Sequence, residues 1–298
     1  MGYADMEEST VTIRGPTQFR LGDVDISFMQ AGSAEGELVI LLHGFPEYWG
    51  AWRRQMTRLA AAGFLVVAPD QRGYGLSGKP PGISEYDLDY LADDIVGLAR
   101  HLGRQTFSLV GHDWGGSVAW WIASRDPSVL RCIAVINSPH PAVWREAMER
   151  DWRQWLRSLY VRVMRLPKLP EMMLRSRDFQ ALAQALEPAK FSADDMANYR
   201  LAWSQPGALT GMINWYRAFL ARRLPAATSF AIDVPTLIIW GDKDFYAVPQ
   251  LADISERLCR NAQIAHFPLA SHWVHHEQSG RVGDLIETFL LAPRADRA

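Results

Sequence analysis

Short β-branched runs recur along this chain with longer amphipathic stretches between them, and that alternation constrains the fold more than any other feature. The runs fall at residues 24–29, 38–42, 64–68, 107–110, 133–136, 235–240 and 262–267, while helical periodicity occupies 87–102, 115–125, 249–260 and 277–291. Runs of that length suit strands, and the stretches between them are long enough for helices. The alternation predicts an α/β fold, a mostly parallel sheet covered by helices on both faces. The first two runs are expected to form an antiparallel start to it.

After Pro139 the alternation stops, and it resumes only near Val234. The stretch between reads as helices rich in Trp, Met and Arg, punctuated by Pro167, Pro170, Pro206 and Pro225, which suit short helices joined by turns. This divides the chain into a core of residues 1–140 and 229–298 and a helical lid at 141–228 laid over the sheet. The lid's aromatics, Trp144, Trp152, Trp155, Trp203 and Trp215, are expected to pack against the core, and Met172 and Met173 lie in the same stretch.

A chain of 298 residues, 48% hydrophobic and 21% charged, can bury a large core. Thirty-one basic against thirty-three acidic residues leave no excess positive charge for a phosphate backbone, so nucleic acid is not an expected partner. Cys132 and Cys259 form neither a CxxC pair nor a disulfide framework and read as reduced, buried thiols. The first ten residues are acidic where a secretory signal would be basic. Gly2 invites a myristoylation reading that Met6 opposes. No apolar run is long enough to span a bilayer, and the expected location is cytoplasmic.

Chemistry concentrates at Ser108-Leu109-Val110-Gly111-His112-Asp113-Trp114-Gly115-Gly116, a strand, a tight turn and a helix start. This has the form of a nucleophile elbow with Asp in place of Ser. A carboxylate is ionised at neutral pH and attacks saturated carbon without a base, and the resulting ester can be hydrolysed at its own carbonyl, whereas serine would give an ether. A plain N-cap role for Asp113 is the simplest alternative, and the flanking Gly111 and Gly115 argue against it.

Ester hydrolysis needs an activated water, and His272, in a loop after the last run, is the candidate base. Its orienting acid should end the preceding strand, where Asp244 is preferred and Asp242 reads as a turn residue. The order nucleophile, acid, base is that of the α/β hydrolases. Upstream, Leu41-Leu42-His43-Gly44-Phe45-Pro46-Glu47 turns sharply after a buried strand, so the backbone N–H groups of Phe45 and Trp114 can form an oxyanion hole. A metal reading of His272, His275 and His276 is disfavoured because flanking carboxylates and cysteines lack ligand spacing; no metal and no cofactor are expected. His43, His101, His112, His140 and His266 read as structural.

Taken together, His43 to Glu47, Asp70-Gln71-Arg72-Gly73-Tyr74-Gly75-Leu76-Ser77, the Asp113 elbow, Asn214-Trp215-Tyr216-Arg217 and His272-Trp273 resemble the soluble epoxide hydrolases of the α/β hydrolase superfamily, over about residues 20 to 290. The resemblance implies an α/β hydrolase fold with an eight-stranded, mostly parallel sheet and a helical cap. It also implies two lid tyrosines that hold the epoxide oxygen and protonate the leaving alkoxide. Tyr216 matches the first and Tyr160 the second, although Met164-Arg165 stands where the family often shows Phe-Gln. Independently of the family, a phenol of pKa about 10 is a competent acid toward a much more basic alkoxide. The acid of some relatives follows the preceding strand, where this chain has Asn137-Ser138 and no carboxylate, which again favours Asp244.

The expected substrate is a small epoxide, with water as second reactant; a homodimer is an assembly the sequence leaves open. The nearest rival is a dehalogenase using the same nucleophile. Haloalkane dehalogenases usually carry Asn where this chain has Phe45, and fluoroacetate dehalogenases Arg where it has Trp114. A ligand-binding protein that has lost turnover is the alternative of another class.

Overall fold

Eight strands form one sheet in the computed structural model, which describes residues 11–292. The strands are β1 (Arg14–Leu21), β2 (Val24–Ala31), β3 (Leu38–Leu42), β4 (Leu65–Pro69), β5 (Phe107–His112), β6 (Leu130–Ile136), β7 (Thr236–Gly241) and β8 (Ala262–Phe267). Their order across the sheet is β1-β2-β4-β3-β5-β6-β7-β8. The expected α/β hydrolase architecture of a mostly parallel sheet is present in this order. The readings made on the first ten residues, including Gly2 and Met6, lie outside the described residues.

One expectation fails. The run at 38–42 is not half of an antiparallel pair: β3 lies parallel to both β4 and β5, and the antiparallel strand pairs are β1 with β2 and β2 with β4. The reason is legible afterwards. Leu38-Val39-Ile40-Leu41-Leu42 is apolar throughout and fully buried, the mark of a central parallel strand with both faces covered. Its side chains divide by period two, with Leu38, Ile40 and Leu42 joining one core cluster and Val39 and Leu41 the other. Strand β1, mostly exposed and with few apolar residues, escaped notice for the opposite reason.

Helices α1 (Arg53–Ala61), α2 (Leu88–His101) and α3 (Trp114–Arg125) connect the first strands. Between β6 and β7 the chain forms α4 (Pro141–Arg150), α5 (Trp152–Arg157), α6 (Leu159–Met164), α7 (Leu169–Ala185), α8 (Ala193–Ser204) and α9 (Ala208–Ala221). It then completes the fold with α10 (Gln250–Glu256), α11 (Val274–Glu277) and α12 (Ser279–Leu291). Pro170 sits in the first turn of α7, where its missing N–H costs nothing. That helix is interrupted where Arg177, Asp178 and Phe179 adopt left-handed backbone angles.

The inserted helices depart from expectation in one respect. Trp203 and Trp215 are buried, but Trp152 and Trp155 are exposed instead of packed on the core; Met172 and Met173 are exposed as well. Cys132 is buried and Cys259 half-buried, and neither is in a disulfide.

Candidate active site

The site forms along the C-terminal ends of the parallel strands, where loops after β3, β5, β6, β7 and β8 converge. Asp113 closes β5 and opens α3 with φ 51° and ψ −120°, a conformation costly for a residue with a Cβ. The glycines explain how the turn is made. A Cβ on Gly111 would lie 2.4 Å from the Gly115 carbonyl oxygen, and one on Gly115 would lie 2.3 Å from that of Leu42. Strand, turn and helix can approach this closely only without those side chains.

Capping does not explain Asp113, since its side chain makes no cap hydrogen bond to α3. Its carboxylate faces outward from the sheet: Phe45 N–H donates to Oδ1 at 2.8 Å, and Oδ2 lies 3.6 Å from His272 Nε2. The Phe45 loop is closed by Glu47 N–H donating to the Gly44 carbonyl at 2.9 Å. Trp114 is the first residue of α3, and an N–H in that position has no partner within its helix. Phe45 N–H thus holds one oxygen of this carboxylate.

His272 Nδ1–H donates to Asp244 Oδ2 at 2.7 Å, which leaves Nε2 facing Asp113. Burial alone would lower the His272 pKa, but the Asp244 carboxylate, and then Asp113, outweigh it and raise the imidazole above its usual 6.5. Asp244 is held below the usual carboxylate range despite complete burial, by His272, by Asn137 and by the Tyr246 N–H. Asp242, the alternative acid, pairs instead with the distant His266 at 2.6 Å.

Tyr160 from α6 and Tyr216 from α9 meet edge to face, ring centroids 5.8 Å apart, above Asp113. With Asp113 and His272 they line a cavity of about 150 Å³. Its remaining wall is largely apolar, from Phe45, Met164, Leu174, Leu182 and Trp273. Burial, with the Asp113 charge adding to it, pushes both phenols well above their ordinary value of 10. A smaller cavity of about 30 Å³ opens on the other side of Asp113 and His272, lined by Ser117, Asn137, Ser138 and Trp144.

Several residues here went unassigned in the sequence. Asn137 Nδ2 donates to Asp244 Oδ2 at 2.7 Å, and Gly241 N–H donates to the Asn137 Oδ1 at 2.8 Å, so Asn137 pins Asp244 to the end of β7. Its position at the end of β6 was the available signal. Tyr246 packs against both His272 and Tyr160, with centroids at 5.0 and 5.6 Å. Glu47 is fully buried: Tyr199 Oη–H and His276 Nε2 reach its Oε1 at 3.0 and 2.6 Å, and His112 Nδ1 lies 3.0 Å from Oε2. His112 Nε2–H in turn donates to the His272 carbonyl at 3.0 Å, so this histidine holds the loop that carries His272. Ligand-capable atoms of Glu47, His275 and His276 lie within 4.8 Å of one another, a proximity that spacing along the sequence concealed. His272 is not among them.

A family model for the alpha/beta hydrolase fold matches residues 37–279. The Bacillus subtilis AB hydrolase superfamily protein YfhM is 44% identical over 264 residues, covering 87% of this chain and 92% of that protein. Human epoxide hydrolase 4 is 36% identical over 273 residues, or 88% of this chain and 75% of that one. The chain belongs to the epoxide hydrolase group of the α/β hydrolases. A Bacillus megaterium epoxide hydrolase, crystallised with an inhibitor, superposes on this α/β hydrolase with a TM-score of 0.85 at 28% identity, over 93% of this chain and all of that one. This member of the group is accordingly a hydrolase enzyme.

Proposed function

We propose that the enzyme opens an epoxide to a vicinal diol through a covalent ester on Asp113, beneath a lid formed by residues 141–228 over a core of residues 1–140 and 229–298. The observation that carries this reading is the placement of Tyr160 and Tyr216 on the same cavity as Asp113 and His272. Asp113 Oδ2, the oxygen not bound by Phe45 N–H, attacks one epoxide carbon as the C–O bond breaks. The departing oxygen takes a proton from Tyr216 or Tyr160, whose raised pKa values keep them protonated. His272 Nε2 then removes a proton from water, which adds to the Asp113 ester carbonyl. Charge building on Oδ1 is met by Phe45 N–H and the N–H of Trp114. Collapse of that intermediate releases the diol and restores the carboxylate, and the proton on His272 balances the one lost by tyrosine.

Cavity size limits the substrate. An apolar cavity of about 150 Å³ is large enough to hold benzene, so the main chamber suits a phenyl-sized apolar substituent. The smaller chamber of about 30 Å³, with Asn137 and Ser138 on its wall, has room for a water, which needs on the order of 10–15 Å³. A dehalogenase would need N–H donors at the leaving group; the Trp273 indole N–H on the cavity wall is already donated to the Ala185 carbonyl at 2.7 Å, which leaves Trp114 as the indole such a reaction would use.

The test is to expose the His272→Gln variant to styrene oxide and digest it for mass analysis. The reading expects a stable adduct on the peptide that contains Asp113. An adduct elsewhere contradicts the nucleophile, and halide release from haloalkanes without diol formation from any epoxide would favour the dehalogenase.

A further inference from the structure

The outer surface of the lid carries a second feature that the reaction does not use. Helix α5 turns Trp152, Trp155 and Leu156 outward, an i, i+3, i+4 apolar face directed at solvent and not at the core. The pattern continues through exposed Leu159 and Val163 on α6 and exposed Leu166 beyond it. At the start of α7 it ends with Leu169, Met172 and Met173, again at i, i+3, i+4. Trp152 is 68% and Met172 69% exposed, so these are not partly covered core residues. A run of exposed large apolar side chains on successive packed helices marks an interaction surface.

Charge identifies the partner. Between residues 152 and 177 the sequence carries seven basic residues and one acidic residue, Glu171, in a chain whose net charge is −2. Glu171 is itself paired with Arg217 at 2.8 Å. Arg153, Arg162, Arg165, Lys168, Arg175 and Arg177 are exposed. None of these six is among the ion-paired cations of the described residues, which in the lid are Arg150, Arg200, Arg217 and Arg222. Two guanidinium groups stay beside the exposed indoles, Arg162 at 4.7 Å from the Trp155 centroid and Arg153 at 5.7 Å from that of Trp152. Tryptophan, leucine and methionine flanked by unpaired cations suit the boundary between lipid headgroups and acyl chains. A second copy of the chain suits it poorly, because a symmetric contact would set this cationic surface against itself.

We propose that this face, residues 152–177, docks the enzyme on an anionic bilayer surface. The mode is peripheral, since no helix of the described residues is long and apolar enough to cross a membrane. Met164 and Leu174, on the inner side of the same helices, line the main cavity, which places the docked face next to the chamber. Delivery of a lipid-dissolved epoxide into that chamber rests on the function proposed above. Docking does not, and vesicle binding reports it separately.

The experiment is co-sedimentation of the full chain with vesicles of phosphatidylcholine, with and without phosphatidylglycerol. The chain should pellet with the anionic vesicles, remain in the supernatant with the neutral ones, and be released when salt reduces the screening length from about 10 Å to 3 Å. Two variants probe the two contributions, one with Arg153→Glu, Arg162→Glu and Arg165→Glu, the other with Trp152→Ser and Leu156→Ser. Each, with its circular dichroism and melting transition unchanged, should reduce the bound fraction by about tenfold or more. Failure of the unmodified chain to bind anionic vesicles overturns the proposal, as does wild-type binding by both variants. A dimer in sedimentation velocity that the Trp152→Ser, Leu156→Ser variant splits would assign the face to a second copy instead.

Discussion

Asp113, Asp244 and His272 stand on loops at the ends of strands in one sheet, whereas Tyr160 and Tyr216 come from helices laid over it. The core half is held by a dense set of hydrogen bonds: Asn137 and the Tyr246 N–H on Asp244, Asp244 on His272, Phe45 N–H on Asp113. The lid half is held largely by ring packing, Tyr216 against Phe45 and Trp114 and Tyr160 against Tyr216 and Tyr246. On the mechanism proposed above, the difference separates two jobs. Making and hydrolysing an ester demands fixed geometry around one carbonyl, while protonating a departing oxygen demands only a phenol within reach across the chamber.

If that division is right, substitutions in the two halves must fail in different ways. Asp113→Ala should show the largest effect, lowering steady-state diol formation by about 10⁴-fold or more, because no ester can form. Replacing both Tyr160 and Tyr216 by Phe should slow ring opening by about 10² to 10⁴-fold, the range of a lost general acid, while hydrolysis of a pre-formed ester is unchanged. Each single Phe variant should lose less, since the other phenol still donates. Ester hydrolysis slowed to the same degree by the tyrosine pair would erase the division.

Asn137→Ala tests whether the hydrogen bonds of the core half matter individually. Removing a charge-assisted bond to Asp244, worth about 1.5–3 kcal/mol, should slow ester hydrolysis by about ten- to a hundredfold and leave alkylation of Asp113 nearly intact in single-turnover measurements. The smallest effect is that of pH. The base must be neutral, and Asp244 raises the His272 pKa against burial, so hydrolysis falls about tenfold per unit as pH drops below that pKa. The elevated tyrosines remain protonated beyond pH 10, so ring opening should show no alkaline loss from them below that point. An acid limb in ring opening with none in hydrolysis would reverse the assignment of halves.

The same contrast governs what could be read from the sequence. The meeting of Asp113, Asp244 and His272 was legible because each lies where a strand ends, and strand ends follow from local pattern. Tyr216 was legible through its motif. Asn137 and Glu47 gained their positions only through contacts spanning 107 and 152 residues, to Asp244 and Tyr199 respectively, and no local pattern encodes those. Composition marked the inserted stretch as helical and rich in Trp but not which way those side chains point, and the expectation that Trp152 and Trp155 face the core was therefore wrong. Strand β3 was misplaced because its pairing depends on distant β4 and β5, although its unbroken apolar run already favoured the interior of the sheet.

The central claim is that oxygen enters the diol by way of the Asp113 carboxylate. A single turnover with enzyme in excess over styrene oxide, in water enriched in oxygen-18, tests it directly. The account predicts that the label appears in the Asp113 peptide and that the first diol released carries none. Label in that first diol, with Asp113 unlabelled, would mean that water attacks the epoxide itself and would contradict the covalent mechanism.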